Sequence, residues 1–202
     1  MTLTAPEFAP EFTPETARET VREAAQETAR GAARETAALQ ARIDALTDRA
    51  ALTDLIDRYL LSLDTRRFDD AWARRFFTPD VRITSPVGKH EGTGGLAASQ
   101  AATLAKFERT QHIGTNYVLD ITGDRATVHW NALMTHVHLA STREARGSGP
   151  GDHFTVGGTF AGEVVRTPAG WRFRRLDIRA VWTHGEGPLA LTPAAEEALW
   201  SR

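Results

Sequence analysis

The stretch Arg109-Thr110-Gln111-His112-Ile113-Gly114-Thr115-Asn116 stands in mid-chain, between a helical run and a strand-like run. A histidine that leaves a helix end and enters a sheet is placed to look into a pocket between the two layers. His112 is therefore a candidate general base. Asp64, at the end of an earlier helix, is the candidate carboxylate that orients it, fixing the imidazole tautomer and stabilising the imidazolium.

Upstream of this stretch, Leu52, Leu55, Ile56, Tyr59, Leu60 and Leu63 recur at helical spacing and give a wide apolar face beginning near Asp48. Thr65-Arg66-Arg67 breaks that run. Phe68, Trp72, Phe76 and Phe77 mark a second helix, which Thr78-Pro79-Asp80 should end because the residue before proline avoids helical geometry. Residues 81–84 read as a short strand, 92–95 as a loop and 96–109 as a third helix. Downstream, 116–122 reads as a strand, Gly123-Asp124 as a hairpin signal and 126–139 as a long second strand. A polar Gly/Ser/Pro loop is expected over 141–151. Strands over 153–166 and 171–182 follow, joined by a turn at Thr167-Pro168-Ala169-Gly170. Helices followed by an antiparallel meander predict an α+β fold, with N-terminal helices packed on one face of a curved, antiparallel-rich sheet.

Period-two alternation puts Trp130, Ala132, Met134, His136 and His138 on one face of the second long strand, as expected of a pocket wall. His136 and His138 also have the spacing of a metal half-site that Glu144 could complete, although that third ligand would sit in the polar loop. A solvated strand end is the plainer account of His138. Asp64 has a similar double reading. An acid at a helix C-terminus opposes the helix dipole, so it is either solvated or held by a partner. Tyr59, on the same helix, is either core or a pocket donor. Arg172, Arg174, Arg175 and Arg179 alternate with Trp171 and Phe173, which fits a solvated face over a core face better than a nucleic-acid stripe.

Ahead of the domain the composition changes. Pro6-Glu7-Phe8-Ala9 and Pro10-Glu11-Phe12-Thr13 repeat a phrase suited to an extended arm. Thr13-Pro14-Glu15 has the form of an N-cap, and residues 15–46 are rich in Ala, Glu, Arg and Thr. The apolar face of this extension is thin, carried by Val21, Ala25, Ala32, Leu39, Ile43 and Leu46. A solvated helix accounts for it better than a coiled coil, which would need a sustained leucine heptad. Three regions are thus expected: an arm and helix over 1–46, the folded domain over 47–187 and a tail over 188–202 with a short helix after Thr192-Pro193.

Composition narrows the function. The 202 residues carry a net charge of −2, are 41% hydrophobic and include no cysteine. Disulfides, thiolate catalysis and Cys-based metal sites are excluded, and no global charge draws the chain to nucleic acid. No secretory signal or span-length apolar run is evident, so a cytoplasmic, non-membrane protein is expected. Nucleophile-elbow, Walker and dinucleotide-binding glycine patterns are absent.

Several phrases resemble the SnoaL-like branch of the nuclear-transport-factor-2-like superfamily. They are Arg49-Ala50-Ala51-Leu52-Thr53-Asp54-Leu55, Leu63-Asp64, the stretch from Thr110 to Asn116, Gly157-Gly158-Thr159-Phe160 and Gly170-Trp171-Arg172-Phe173. The resemblance spans residues 48 to 187 and includes scytalone dehydratase, hexachlorocyclohexane dehydrochlorinase and a bile acid dehydratase. It implies a cone-shaped α+β barrel, no metal, no organic cofactor and a homodimer or homotrimer through the sheet. It implies a hydrophobic small-molecule substrate and places Asp64 and His112 as a dyad that takes a proton from carbon. His136 matches a second pocket histidine, Tyr59 an active-site tyrosine or lysine, and Arg166 a pocket arginine. Leu63 and Ser85 stand where scytalone dehydratase has tyrosines, and its active-site asparagine has no counterpart near Phe160, so that identity is not expected. The expected activity is a dehydratase-type lyase or isomerase. A polyketide cyclase using the same dyad and a non-catalytic binding or scaffold domain are the alternatives. The expected ligand contacts are Trp72, Phe76, Ser85, Asn116, Trp130, Met134, His138, Phe160, Arg166 and Trp182.

Overall fold

A computed structural model describes residues 13–147 and 151–188, which fall into two compact units, 1–47 and 48–202. The proline-phrase arm and the helix expected after Thr192 lie outside the described residues.

Helix α1 (Pro14–Thr65) runs without interruption through both units, where two separate helices were expected. Nothing in residues 46–50 stops a helix: Leu46, Ala50 and their polar neighbours continue the backbone ladder, and no Gly or Pro intervenes. Its start follows the cap signal, with the Thr16 amide donating to Thr13 Oγ1 at 3.3 Å. Within the first unit nearly every helical residue is exposed, including Val21, Leu39, Ile43 and Leu46.

In the second unit, α1 buries Leu52, Leu55, Ile56, Tyr59, Leu60 and Leu63. Helix α2 (Asp70–Phe76) is capped by Asp69, whose side chain accepts from the Trp72 amide. It ends one residue earlier than expected. Strand β1 (Phe77–Ser85) begins at Phe77 and contains Pro79. Proline is tolerated there because the β1 register against its neighbour is irregular between Phe77 and Arg82. A hairpin partner the sequence reading did not assign, β2 (Gly88–Glu91), follows. Helix α3 (Leu96–Leu104) is shorter than the expected 96–109. Phe107 lies instead in β3 (Phe107–Thr122), paired with His138 of β4 (Arg125–His138). Inter-strand bonding there overrides the helical spacing of Leu104 and Phe107. The segment expected as a loop contains a short helix, α4 (Ala140–Arg146), held by Arg143 bonding to Glu108 and to the His138 carbonyl. Strands β5 (His153–Thr167) and β6 (Gly170–His184) complete the sheet.

The six strands run in the order β2-β1-β6-β5-β4-β3. All pairs are antiparallel except β1 with β6, so the sheet is mixed. Its inner face carries Val128, Trp130, Ala132, Met134, Phe160, Phe173 and Leu176, packed with the α1 residues in one core. The unit is α+β, an open curved sheet with helices on one face. No described helix is long and apolar enough to cross a membrane.

Candidate active site

The site forms where α1 ends against β3. Gly114 permits the approach: a Cβ there would lie 2.7 Å from Leu60 Cδ1 and 2.6 Å from the Tyr117 hydroxyl. One turn beyond Leu60, Asp64 meets the strand. Its Oδ1 accepts from His112 Nδ1 at 2.6 Å and from the Thr110 hydroxyl at 3.0 Å, and its Oδ2 accepts from the His112 backbone amide at 3.0 Å. Thr110 and His112 share this partner because residues two apart point to the same strand face. His112 is thus inside a strand, six residues into β3, and not at a helix end as expected.

Three hydrogen bonds resolve the two readings of Asp64 in favour of the held carboxylate. Burial by itself would raise its pKa. The bonds from the His112 ring, the His112 amide and Thr110 outweigh burial and keep the carboxyl below its ordinary range. Because a carboxylate only accepts, Nδ1 of His112 carries the hydrogen, and in the neutral imidazole Nε2 then has the lone pair. The His112 side chain is 4% exposed.

A cavity of about 230 Å³ opens beside this ring. Its lining includes Tyr59, Leu63, Trp72, Phe107, His112, Met134, His136, Val156 and Phe160. Ser85 to His90, from the β1–β2 hairpin, and Ser99, Gln100, Thr103 and Lys106, along α3, border it as well. The lining is chiefly apolar with a few polar groups, the usual character of a small-ligand site, and the volume lies below the ~300–1,000 Å³ of drug-sized sites.

His136 stands edge-on to His112, with ring centroids 5.5 Å apart. Its Nδ1 donates to the Phe154 carbonyl at 3.1 Å, so Nε2 is an acceptor. Burial, reinforced by electrostatic repulsion from the neighbouring His112, lowers its pKa to about 4 and keeps it neutral at physiological pH. Tyr59 is 3% exposed and packs edge-on against Phe76, Phe77 and Phe173. Burial raises its pKa, so the hydroxyl stays protonated.

The structure brings together His112, Asp64, His136, Tyr59, Trp72, Ser85, Met134 and Phe160 of the expected set. Six others lie elsewhere. Phe76 and Trp130 are core residues behind the lining, Trp130 stacked on Phe160 at 4.7 Å. His138 is 1% exposed, and its Nε2 accepts from Arg146. That guanidinium opposes a cation, so the His-x-His pair has no metal-site geometry, and no described cluster of His, Asp and Glu does. Asn116 occupies an irregularity in β3 with φ of 59°, a conformation asparagine tolerates, and contacts Asn131 away from the cavity. Arg166 pairs with Asp48 and Asp124 and covers Trp171. Trp182 lies on the opposite sheet face, its indole over Gly157. Sequence reasoning did not assign Thr110, Gly114 or the α3 lining. The period-two offset from His112 is the signal that identifies Thr110.

A SnoaL-like domain profile matches residues 44–177. Among solved structures, the chain is 31% identical to the Kfla4162 protein of Kribbella flavida, over 69% of this chain and 95% of that one, with a TM-score of 0.63. It is 20% identical to a type 2 hexachlorocyclohexane dehydrochlorinase over 75% and 97% of the two chains, with a TM-score of 0.59. A protein provisionally named as a scytalone dehydratase, from Novosphingobium aromaticivorans, is 19% identical over 73% and 93%, with a TM-score of 0.58. No curated protein matches the sequence. With two thirds of its length matched, the chain belongs to the SnoaL-like family.

Proposed function

We propose that the protein is a cofactor-independent lyase or isomerase acting on a small hydrophobic molecule, with His112 as the general base. The observation that carries this reading is the Asp64–His112 bond at 2.6 Å on the wall of an apolar cavity. Nε2 of His112 takes a proton from a carbon acidified by a neighbouring carbonyl or leaving group. Asp64 holds the tautomer and stabilises the imidazolium, while Thr110 and the His112 amide keep the carboxylate from rotating. General base catalysis of this kind contributes ~10²–10⁴-fold.

The other two polar groups divide the remaining work by their protonation. Nε2 of His136 has only a lone pair, so it accepts from a substrate hydroxyl and orients it. The Tyr59 hydroxyl, a donor, serves the developing enolate or leaving group, a contribution worth ~10²–10³-fold in comparable sites. In a dehydratase-type elimination the abstracted proton and the leaving group depart from adjacent carbons. A polyketide cyclase would use the same first step and close a carbon–carbon bond from the enolate, which product analysis distinguishes. A non-catalytic ligand-binding domain would use the cavity without needing the base.

The protein also works, on this reading, as a homodimer or homotrimer through the outer sheet face. Ile113, Leu133, Gly157 and Trp182 are in register across four strands there, and Ile113, Leu133 and Trp182 are 50%, 40% and 47% exposed. A contiguous apolar row of this kind favours a second copy.

The test uses 2-tetralone, a small carbon acid, in deuterium oxide. The protein should accelerate exchange of its acidic hydrogens, read by proton NMR, and His112→Ala and Asp64→Asn should abolish the acceleration with unchanged circular dichroism. Full exchange by His112→Ala would sink the assignment.

A further inference from the structure

Lysine occurs at only two positions in this chain, 89 and 106, against 26 aspartates and glutamates. Both lysines border the cavity, and among the described residues no aspartate or glutamate does. A protein with net charge −2 has therefore gathered local positive charge at this cavity.

The two lysines are not equivalent. Lys89 is exposed and pairs across the hairpin with Thr84, on the alternate side from Ile83 and Ser85, so it adds only to the field at the rim. Lys106 follows the C-cap of α3, is half-buried and precedes Phe107, whose ring packs on His136 at 4.6 Å. Its nearest acid in sequence, Glu108, is engaged by Arg109 and Arg143. Some arginines of the same unit have carboxylate partners, as Arg166 has in Asp48 and Arg174 in Asp80. Lys106 forms no hydrogen bond or ion pair among the described residues. A half-buried lysine that borders an apolar cavity, with its nearest acid in sequence engaged elsewhere, leaves a positive charge free to meet an anion.

We infer that the ligand is an apolar molecule carrying one anionic group, a carboxylate or a phosphate monoester, which Lys106 receives while the hydrocarbon body fills the cavity toward His112. This rests on the cavity being the ligand site proposed above and names its substrate class. Ser99 and Gln100 of α3 border the same cavity and supply neutral polar groups around the charge.

The test is calorimetric titration of the full chain with three probes of one ring system: 2-naphthoate, 2-naphthyl phosphate and neutral 2-naphthamide. At least one anion should bind tenfold or more tightly than the amide, and which one does so identifies the group. The preference should fall severalfold in Lys106→Met, return in Lys106→Arg and weaken with added salt, with circular dichroism confirming that each variant is folded. His112→Ala should keep the preference, so loss of proton exchange and loss of anion selection are separate results. Equal or tighter binding of the amide overturns the inference. So does an anion preference untouched by Lys106→Met, or failure of both anions to bind.

Discussion

Gly114 on β3 and Leu60 on α1 touch so closely that no side chain can stand between them: a Cβ on Gly114 would come within 2.7 Å of Leu60 Cδ1. This contact sets how near the strand bearing His112 comes to the helix bearing Asp64. Gly114→Ala should therefore do more than overpack the core. We expect a loss of about 1–3 kcal/mol of stability by chemical denaturation, the usual cost of an inserted methyl in a packed interior. Proton exchange on 2-tetralone should fall with it, because the 2.6 Å bond between Asp64 and His112 depends on that spacing. A variant equally stable and equally active would show that the layers can separate without harming the site.

Thr110 donates to the same carboxylate oxygen that receives His112 Nδ1. Thr110→Val keeps the shape and β-branching but removes the donor. The expected cost is about 1 kcal/mol of stability. The Asp64 carboxyl, relieved of one of the bonds that lower it, should titrate at higher pH by carbon-13 NMR. An unchanged Asp64 titration would assign the carboxylate's state to His112 alone.

His136 links stability to pH. Burial depresses its folded pKa to about 4 from an ordinary value of 6.5, so the unfolded chain binds its proton first. The stability it contributes is whole above pH 6.5 and is lost as pH falls from 6.5 to about 4, a change of about 3 kcal/mol by linkage. The lowered carboxyl of Asp64 acts in the same sense at lower pH. Denaturation midpoints should decline across this interval, and His136→Gln should flatten the decline. A slope identical in the variant would trace the acid sensitivity to other groups.

On the outer sheet face, Leu133→Lys and Trp182→Glu place charges in the exposed apolar row. Sedimentation should find the wild type associated and the double variant shifted toward monomer, with its cavity intact by 2-naphthoate binding. A monomeric wild type would remove the proposed assembly.

The extension can be tested by deleting residues 1–47, the first compact unit. We expect the remainder to keep its circular dichroism and its proton exchange, since every cavity residue lies at position 59 or beyond. Loss of association alone would assign the helix to partner docking.

Much of the second unit was legible because its patterns are strict. The α1 face from Leu52 to Leu63 and the alternation from Trp130 to His138 need no long-range information: each residue's burial follows from a period of 3.6 or 2. Element ends were not legible. Leu104 and Phe107 have helical spacing, yet the partner strand claims Phe107. Pro79 reads as a stop, yet an irregular β1–β6 register accommodates it. The polar 140–146 segment reads as loop because the bonds that fold it come from Glu108 and His138, distant in sequence or outside the segment.

The site divides in the same way. Sequence patterning by itself determined the α+β class and the inward face of β4, because local periodicity is sufficient for those inferences. Residue type and position made Asp64 and His112 candidates, and the roles proposed for them and for His136 rested on the family resemblance. The tertiary structure decided which nitrogen of each histidine is bonded, that Tyr59 lines the cavity with a protonated hydroxyl, and that Asn116, Arg166 and Trp182 face away from the cavity. Those outcomes hang on strand register, on a bulge after Thr115 and on glycines that bring backbones together, and such contacts exist only once segments far apart in the chain have met.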